Sequence, residues 1–255
     1  MNFKIFSRRF AIGLVATLAL GSCKKEETGP TGPQGPAGPS LTGNLQGFVS
    51  LYDQYGSPIL SGLSGIHDSI DGSSNVAITD STGKYSFSNL STGTYNFTIA
   101  DAGFGSNKVQ YLQLVGGGIL NRDVHLSKIP GFNVTTLTAG FGPVTDTLTA
   151  TVTADTRART FIVFVGSTSS TSAAPATYLD FYTKQVPANQ TTFKILVQPS
   201  DLYNLGLTAG TTAYFAAYGA AANYNNSSTY EDLNTGRTVF NAISTTPATA
   251  SAVVQ

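Results

Sequence analysis

Thr79-Asp80-Ser81-Thr82-Gly83-Lys84-Tyr85-Ser86-Phe87 is the stretch on which the fold turns. Asp80 and Gly83 bracket a hairpin turn, where glycine supplies the positive φ that other residues resist. Tyr85 and Phe87 stand two residues apart, so on a strand both point to one face, into a core. The same alternation recurs on either side. Strands are expected over 47–52, 66–70, 75–80, 84–89, 93–100 and 111–114, with 121–126 closing the sheet. Short runs broken by Gly, Asn, Asp and Ser clusters are the pattern of a sandwich or barrel, and helix periodicity is missing.

Ile129-Pro130-Gly131 marks a junction, beyond which seven more strands are expected: 132–138, 146–154, 160–166, 178–184, 191–197, 211–221 and 237–243. In the second of these, Leu148, Ala150, Val152 and Ala154 share one face and threonines take the other. The third is apolar throughout, as a strand covered on both faces would be. The expected fold class is therefore all-β, with two consecutive β-sandwiches at 41–129 and 130–255.

Gly47-Phe48-Val49, then Asp53-Gln54-Tyr55-Gly56-Ser57-Pro58, the turn quoted above, Leu90, Gly93 and Tyr95 follow one another in order. That succession resembles the carboxypeptidase regulatory-like domain, a transthyretin-like β-sandwich, over residues 41–128. The pattern departs at Ser61-Gly62-Leu63-Ser64-Gly65-Ile66-His67-Asp68-Ser69-Ile70, which leaves the strand register around His67 open. In the second half, Leu207-Thr208-Ala209-Gly210-Thr211-Thr212-Ala213-Tyr214 resembles the fibronectin type III segment that carries a tyrosine corner. That likeness implies that Tyr214 packs across the sandwich edge and bonds its hydroxyl back to the chain. The first resemblance implies a non-catalytic module: such domains accompany carboxypeptidases without carrying the zinc ligands, and in surface lipoproteins they serve as spacers or binding platforms. Classifications place this sandwich beside starch-binding domains, so carbohydrate binding enters as an analogy of fold.

Composition narrows the function classes. Fourteen Lys+Arg balance fourteen Asp+Glu, and charged residues make up 11% of the chain, so no basic face is available to neutralise phosphates. Nucleic acid is not an expected partner. Two His and one Cys exclude most zinc, haem and iron–sulfur sites, and no cofactor is expected. The polar surface rests instead on hydroxyls, with 25 Ser and 34 Thr.

At the N-terminus Lys4, Arg8 and Arg9 precede an uncharged stretch of eleven residues from Phe10 to Leu20. That is too short to span a bilayer and suits a signal-peptide core. Leu20-Gly21-Ser22-Cys23 follows, and resembles the lipobox of bacterial lipoproteins. The resemblance implies a signal peptide at 1–22, cleavage before Cys23, acylation of the Cys23 thiol and membrane anchoring through that lipid. Removing 1–22 takes away three cations and leaves a net charge of −3. Ser7-Arg8-Arg9-Phe10 is similar to a twin-arginine signal, but Ala11 stands where a strongly hydrophobic residue is expected, which favours ordinary Sec export. Lys24-Lys25-Glu26-Glu27 resembles the surface-export signal of some Gram-negative lipoproteins and implies the outer membrane, with exposure at the cell surface. Residues 23–40 form the lipidated linker. Within it, Gly29-Pro30-Thr31, Gly32-Pro33-Gln34, Gly35-Pro36-Ala37 and Gly38-Pro39-Ser40 are collagen-like triplets. Twelve such residues make a stiff spacer of ~37 Å at about 3.1 Å each. A monomer is expected; a trimeric stalk is the alternative.

Candidate sites are few. His67-Asp68 is the one His–carboxylate neighbour pair, but adjacent strand residues face opposite sides and no Ser motif accompanies them, so no catalytic residue and no enzyme is expected. Asp71, Asp80 and Asp101 lie in loops without calcium-loop spacing, so no metal site is expected. Asp68-Ser69-Ile70, Asp80-Ser81-Thr82 and Asp146-Thr147-Leu148 resemble an O-glycosylation acceptor pattern, one that a hydroxyl-rich chain also produces by chance. The loop 222–232 holds Asn223, Tyr224, Asn225, Asn226, Tyr230 and Glu231. Rings that stack and amides that bond hydroxyls suit a glycan or a protein ligand, and Tyr224, Asn225, Asn226 and Tyr230 are the expected ligand loop. The functional expectation is a non-catalytic, membrane-anchored surface lipoprotein presenting sandwiches for binding or adhesion. An envelope spacer or assembly component without a ligand of its own is the alternative.

Overall fold

The computed structural model describes residues 41–142, 146–222 and 229–255. The expected signal peptide at 1–22, Cys23 and the Gly-Pro triplets at 29–40 lie outside these residues, as do Tyr224, Asn225 and Asn226. The described chain is all-β apart from one short helix, and it forms two β-sandwiches, each around its own core.

The first sandwich is built on β1 (Thr42–Tyr52), whose side chains alternate between buried and outward over its whole length. β5 (Lys84–Ser91) pairs with it antiparallel along one edge, setting Lys84 opposite Phe48 and Ser86 opposite Gln46. β2 (Pro58–Ile59) pairs antiparallel near its C-terminal end. β8 (Ile119–Asn121) and β9 (Val124–Ser127) run parallel to it. The facing sheet has the order β4 (Val76–Ile78), β3 (His67–Ile70), β6 (Gly93–Ala100), β7 (Asn107–Leu114). The turn behaves as its residues dictate. Gly83 has φ 82°, its N–H donates to Asp80 O at 3.0 Å, and Asp80 Oδ1 accepts from the Thr82 N–H and hydroxyl and the Lys84 N–H. These bonds hold the Asp80 carboxyl below its ordinary range, Thr82 contributing most. Tyr85 and Phe87 enter the core beside Leu45, Val49, Ile99 and Leu126.

One expected strand is two. The stretch 121–126 breaks at Arg122 and Asp123, because the Tyr85 hydroxyl captures the Arg122 carbonyl and Asp123 Oδ1 takes the Phe48 N–H at 2.9 Å. Only glycine fits at position 47 there, since a Cβ would lie 2.0 Å from Arg122 O.

The second sandwich packs a three-stranded sheet on a four-stranded one. The first has the order β10 (Val134–Gly140), β11 (Asp146–Val152), β14 (Thr192–Val197). The second has the order β13 (Asp180–Val186), β12 (Arg159–Gly166), β15 (Thr212–Ala220), β18 (Ala248–Val253). Helix α1 (Pro199–Asn204) connects β14 to β15, and β16 (Thr229–Asp232) with β17 (Arg237–Phe240) forms a hairpin before β18. Every residue of β12 is buried, because both of its faces are covered. Phe161, Val163 and Val165 enter the inter-sheet core, while Ile162 and Phe164 meet Tyr178, Tyr218 and Phe240 in a second cluster on the outer face. The segment between β12 and β13 lies over that cluster. It is fastened by the Tyr178 hydroxyl to Thr238 O at 2.5 Å, Arg237 Nη1 to Pro175 O at 2.9 Å and the Ala173 N–H to the Tyr218 oxygen at 3.3 Å.

Ala154, expected on the buried face of 146–154, lies beyond the end of β11 and is exposed; Leu148, Ala150 and Val152 are buried as read. The expected strand 237–243 is present as the shorter β17, whereas helix α1, β16 and β18 are additions to the expected elements.

The described residues form one compact unit in which the two sandwiches are fastened to each other. Tyr55, from the turn after β1, reaches the second core, 5.9 Å from the Phe132 ring, and its hydroxyl donates to Asp155 Oδ2 at 2.5 Å. The Arg157 guanidinium lies 3.8 Å from the Tyr55 ring centroid and bonds Asp53 at 3.2 Å and Ser57 at 3.0 Å. Gln54 takes the Gly131 N–H with its side chain and the Ala222 N–H with its carbonyl. A second contact joins β7 to the β16–β17 hairpin and Ser106 to Asn241. Arg157→Ala is expected to cost about 1–2 kcal/mol, since stacking and a half-exposed ion pair each contribute about 1 kcal/mol or less. Amide exchange at Gly131 and Ala222 should accelerate in that variant; unchanged exchange there would show that Arg157 does not hold the junction.

Candidate binding sites

The residues singled out in the sequence do not converge. Tyr230 is half-buried in β16 and faces the first sandwich: Lys108 Nζ lies 5.7 Å from its ring centroid, and Gln110 Nε2 donates to the neighbouring Glu231 carbonyl at 3.2 Å. This end of the expected ligand loop is thus engaged within the molecule. Tyr224, Asn225 and Asn226 lie outside the described residues.

His67 and Asp68 face opposite sides of β3, as adjacent strand residues must. His67 is exposed beside Asp101 in a shallow recess with Gly65, Ala100 and Ala102. Asp68 is fully buried, set between its cross-strand neighbours Ala77 and Ile99, and neither carboxylate oxygen has a hydrogen-bond partner among the described residues. Burial pushes its carboxyl up to about 7. The Tyr85 phenol is raised too, chiefly by burial and then by the Asp68 charge. Hydrophilic identity alone gave no sign of this burial; the alternation Asp68, Ile70 was the available signal. Arg159 is also buried, at the start of β12. One of its nitrogens donates to Gln190 O, and Nε and Nη1 have no partner among the described residues. No group of three or more His, Cys, Asp or Glu capable of holding a metal occurs among the described residues.

Tyr214 departs from the tyrosine-corner expectation. Ala213 and Phe215 occupy the core-facing positions of β15, so Tyr214 faces outward, and its hydroxyl makes no hydrogen bond among the described residues. It sits directly opposite Ser251 of β18. With Ser169, Thr171, Phe215, Thr249, Ala250 and Ser251 it lines a pocket of about 290 Å³ that contains no charged side chain. The pocket lies where the apolar cover of the outer face gives way to the small hydroxyl residues of β18. Thr171 is held by its hydroxyl donating to Thr168 O at 2.6 Å, and only glycine fits opposite it at 166.

A second recess, of about 200 Å³, opens on the outer face of the first sandwich and is lined by Gln46, Gly47, Phe48, Lys84, Asn121 and Asp123. Strand register assembles it. Phe48 stands opposite Lys84, and Gln46 opposite Asn121, whose Oδ1 accepts from Gln46 Nε2 at 2.9 Å.

No protein-family model matches the chain, and no curated protein matches it. Among solved structures it is similar to a cohesin–X-dockerin complex from Acetivibrio cellulolyticus, at 16% identity over 33% of this chain and 57% of that chain, with a TM-score of 0.29. It is similar to a candidate carbohydrate-binding protein from Bacteroides uniformis, at 13% identity over 84% and 99% of the two chains, with a TM-score of 0.31. It is also similar to a DUF3823 family protein from Bacteroides ovatus, at 14% identity over 84% and 100%, with a TM-score of 0.29. The chain thus spans little more than half the length of the cohesin–dockerin match. Likenesses this distant carry no argument about function.

Proposed function

We propose that this chain is a non-catalytic surface lipoprotein, anchored in the outer membrane through lipid on Cys23, whose two sandwiches form a stiff platform for binding or adhesion. The carboxypeptidase regulatory-like reading of the first sandwich and the fibronectin type III-like reading of the second belong to this proposal; the three-on-four strand order of the second sandwich supports the latter. Carbohydrate is the ligand class. The observation that carries it is the Tyr214 pocket: an aromatic side chain and four hydroxyl residues converge without a charge. That chemistry suits a neutral polyol, because each hydroxyl both donates and accepts and the ring covers an apolar sugar face.

Glycan-array binding by the purified full chain should be specific, and Tyr214→Ala should reduce it at least tenfold with an unchanged melting temperature. Equal binding by wild type and variant would remove the pocket from the proposal. For the anchor, Cys23→Ala should abolish labelling by radioactive palmitate and move the protein out of the membrane fraction; labelling that persists would refute acylation at Cys23. The second reading, an envelope spacer, draws on the clamp of Asp53, Tyr55, Asp155 and Arg157, which stiffens the junction whether or not a ligand binds. A spacer should retain nothing specific in a glycan or host-protein pull-down.

A further inference from the structure

Phe48 is 46% exposed at the middle of β1, a strand with partners on both sides. An aromatic ring at such a position is ordinarily covered, yet here its surroundings are polar: Lys84 directly opposite, Asp123 bonded to its backbone, and the Gln46–Asn121 amide pair two positions along. Lys84 makes no ion pair among the described residues. Asp123 spends Oδ1 on the Phe48 N–H, which orients the carboxylate, and Oδ2 makes no hydrogen bond among the described residues. The amides are oriented by each other, with the remaining Asn121 N–H groups and the Gln46 carbonyl still to be used. One cation and one anion cancel, so the recess has no preference for a charged ligand. All of these side chains but Asp123 stand on paired strands, which holds their spacing.

We infer that this recess is a second saccharide site, distinct from the Tyr214 pocket, that takes one ring of a neutral glycan. The ring's apolar face lies on Phe48, and neighbouring hydroxyls bridge Asp123, as acceptor, and Lys84, as donor. A sugar fits where a flat aromatic ligand would not, because it needs both an apolar face and donor–acceptor pairs at its rim. At about 200 Å³ the recess is sized for a single ring. Tyr52 lies four residues further along the same face, its ring 5.6 Å from His125, and gives a longer chain a direction to follow. The inference rests on the carbohydrate reading above and locates a different part of it.

The test is titration of the purified full chain with maltohexaose, cellohexaose and mannohexaose. Binding is followed through backbone amide shifts, with Phe48→Ala, Phe48→Tyr, Asp123→Asn and Tyr214→Ala in parallel. At least one hexaose should shift the Gly47, Phe48 and Lys84 amides. Phe48→Ala should weaken that response tenfold or more, Phe48→Tyr should retain it because the ring remains, and Tyr214→Ala should leave it intact. Binding with no response in these amides, or an equal response in Phe48→Ala and wild type, overturns the Phe48 site and leaves the Tyr214 reading standing. No binding of any of the three overturns this inference together with the carbohydrate reading beneath it. Melting curves separate a lost site from a lost fold. If Phe48→Ala unfolds, Asp123→Asn carries the comparison, with the same tenfold loss expected.

Discussion

Asp68→Asn is expected to stabilise the protein at pH 8 by up to about 4 kcal/mol and to change it little at pH 4. The expectation follows from a carboxylate that is fully buried, without a partner, and titrating near 7 in the folded state. In the unfolded chain the same group ionises near 3.9. Below about pH 4 both states hold the proton, and the buried acid resembles the amide that would replace it. Between about 4 and 7 only the unfolded chain releases the proton, so stability falls as pH rises through this window; above it the full penalty of a buried unpaired charge is present. About 3 units at 1.36 kcal/mol each give the upper figure. Wild-type stability alone is a poor readout, because Asp80 and Asp155 are held below the ordinary range and act in the opposite direction. The difference between Asp68→Asn and wild type cancels those terms. Urea melts at pH 4 and pH 8 check it, and an equal difference at the two pH values would mean that Asp68 is ionised or solvated in the fold.

Phe164→Ala is the second large expected effect, a loss of about 3–5 kcal/mol. Phe164 is fully buried, although it points away from the main inter-sheet core. Its ring lies 4.9 Å from Tyr178, 5.6 Å from Tyr218 and 5.4 Å from Phe240, so truncation removes the centre of the outer cluster. Tyr178 anchors the covering segment through Thr238 O, so that segment should open as well. For a chain of this size each kcal/mol shifts the melting temperature by roughly 2–4 °C, so scanning calorimetry should show a fall of about 6 °C or more. A shift of a degree or less would mean that the outer cluster contributes nothing to global stability.

Much of this fold could be read from residue order. The turn at Asp80–Gly83, the inward pair Tyr85 and Phe87, and the buried character of 160–166 all follow from local chemistry that tertiary contacts then reinforce. What escaped reading has identifiable causes. β18 is Ala-Thr-Ala-Ser-Ala-Val, whose small residues carry little strand preference and gain it by pairing with β15. Helix α1 is six residues long and stands on Pro199, too brief for a helical period to show. Tyr214 is expected across the sandwich edge only through a family pattern; in β15 the inward positions belong to Ala213 and Phe215, which turns Tyr214 outward. The break at Arg122–Asp123 depends on Tyr85, 37 residues earlier, and no local pattern encodes it. The two recesses were illegible for the same reason: Phe48, Lys84 and Asn121, like Tyr214 and Ser251, become neighbours only through strand pairing.

The parallel pairing of β8 and β9 with β1 bears on how the chain acquires this structure. Gln46 meets its partner Asn121 seventy-five residues later, and Val49 waits for Val124. A polypeptide emerging N-terminus first therefore leaves one hydrogen-bonding edge of β1 open until about residue 127 has followed it, and loop closure over that distance slows the search. The second sandwich includes β10 and β11, joined by a short connection, and can begin pairing as soon as they appear. The first sandwich has short hairpins of its own, β3–β4 and β6–β7, so the open edge of β1 is the part of it that closes last.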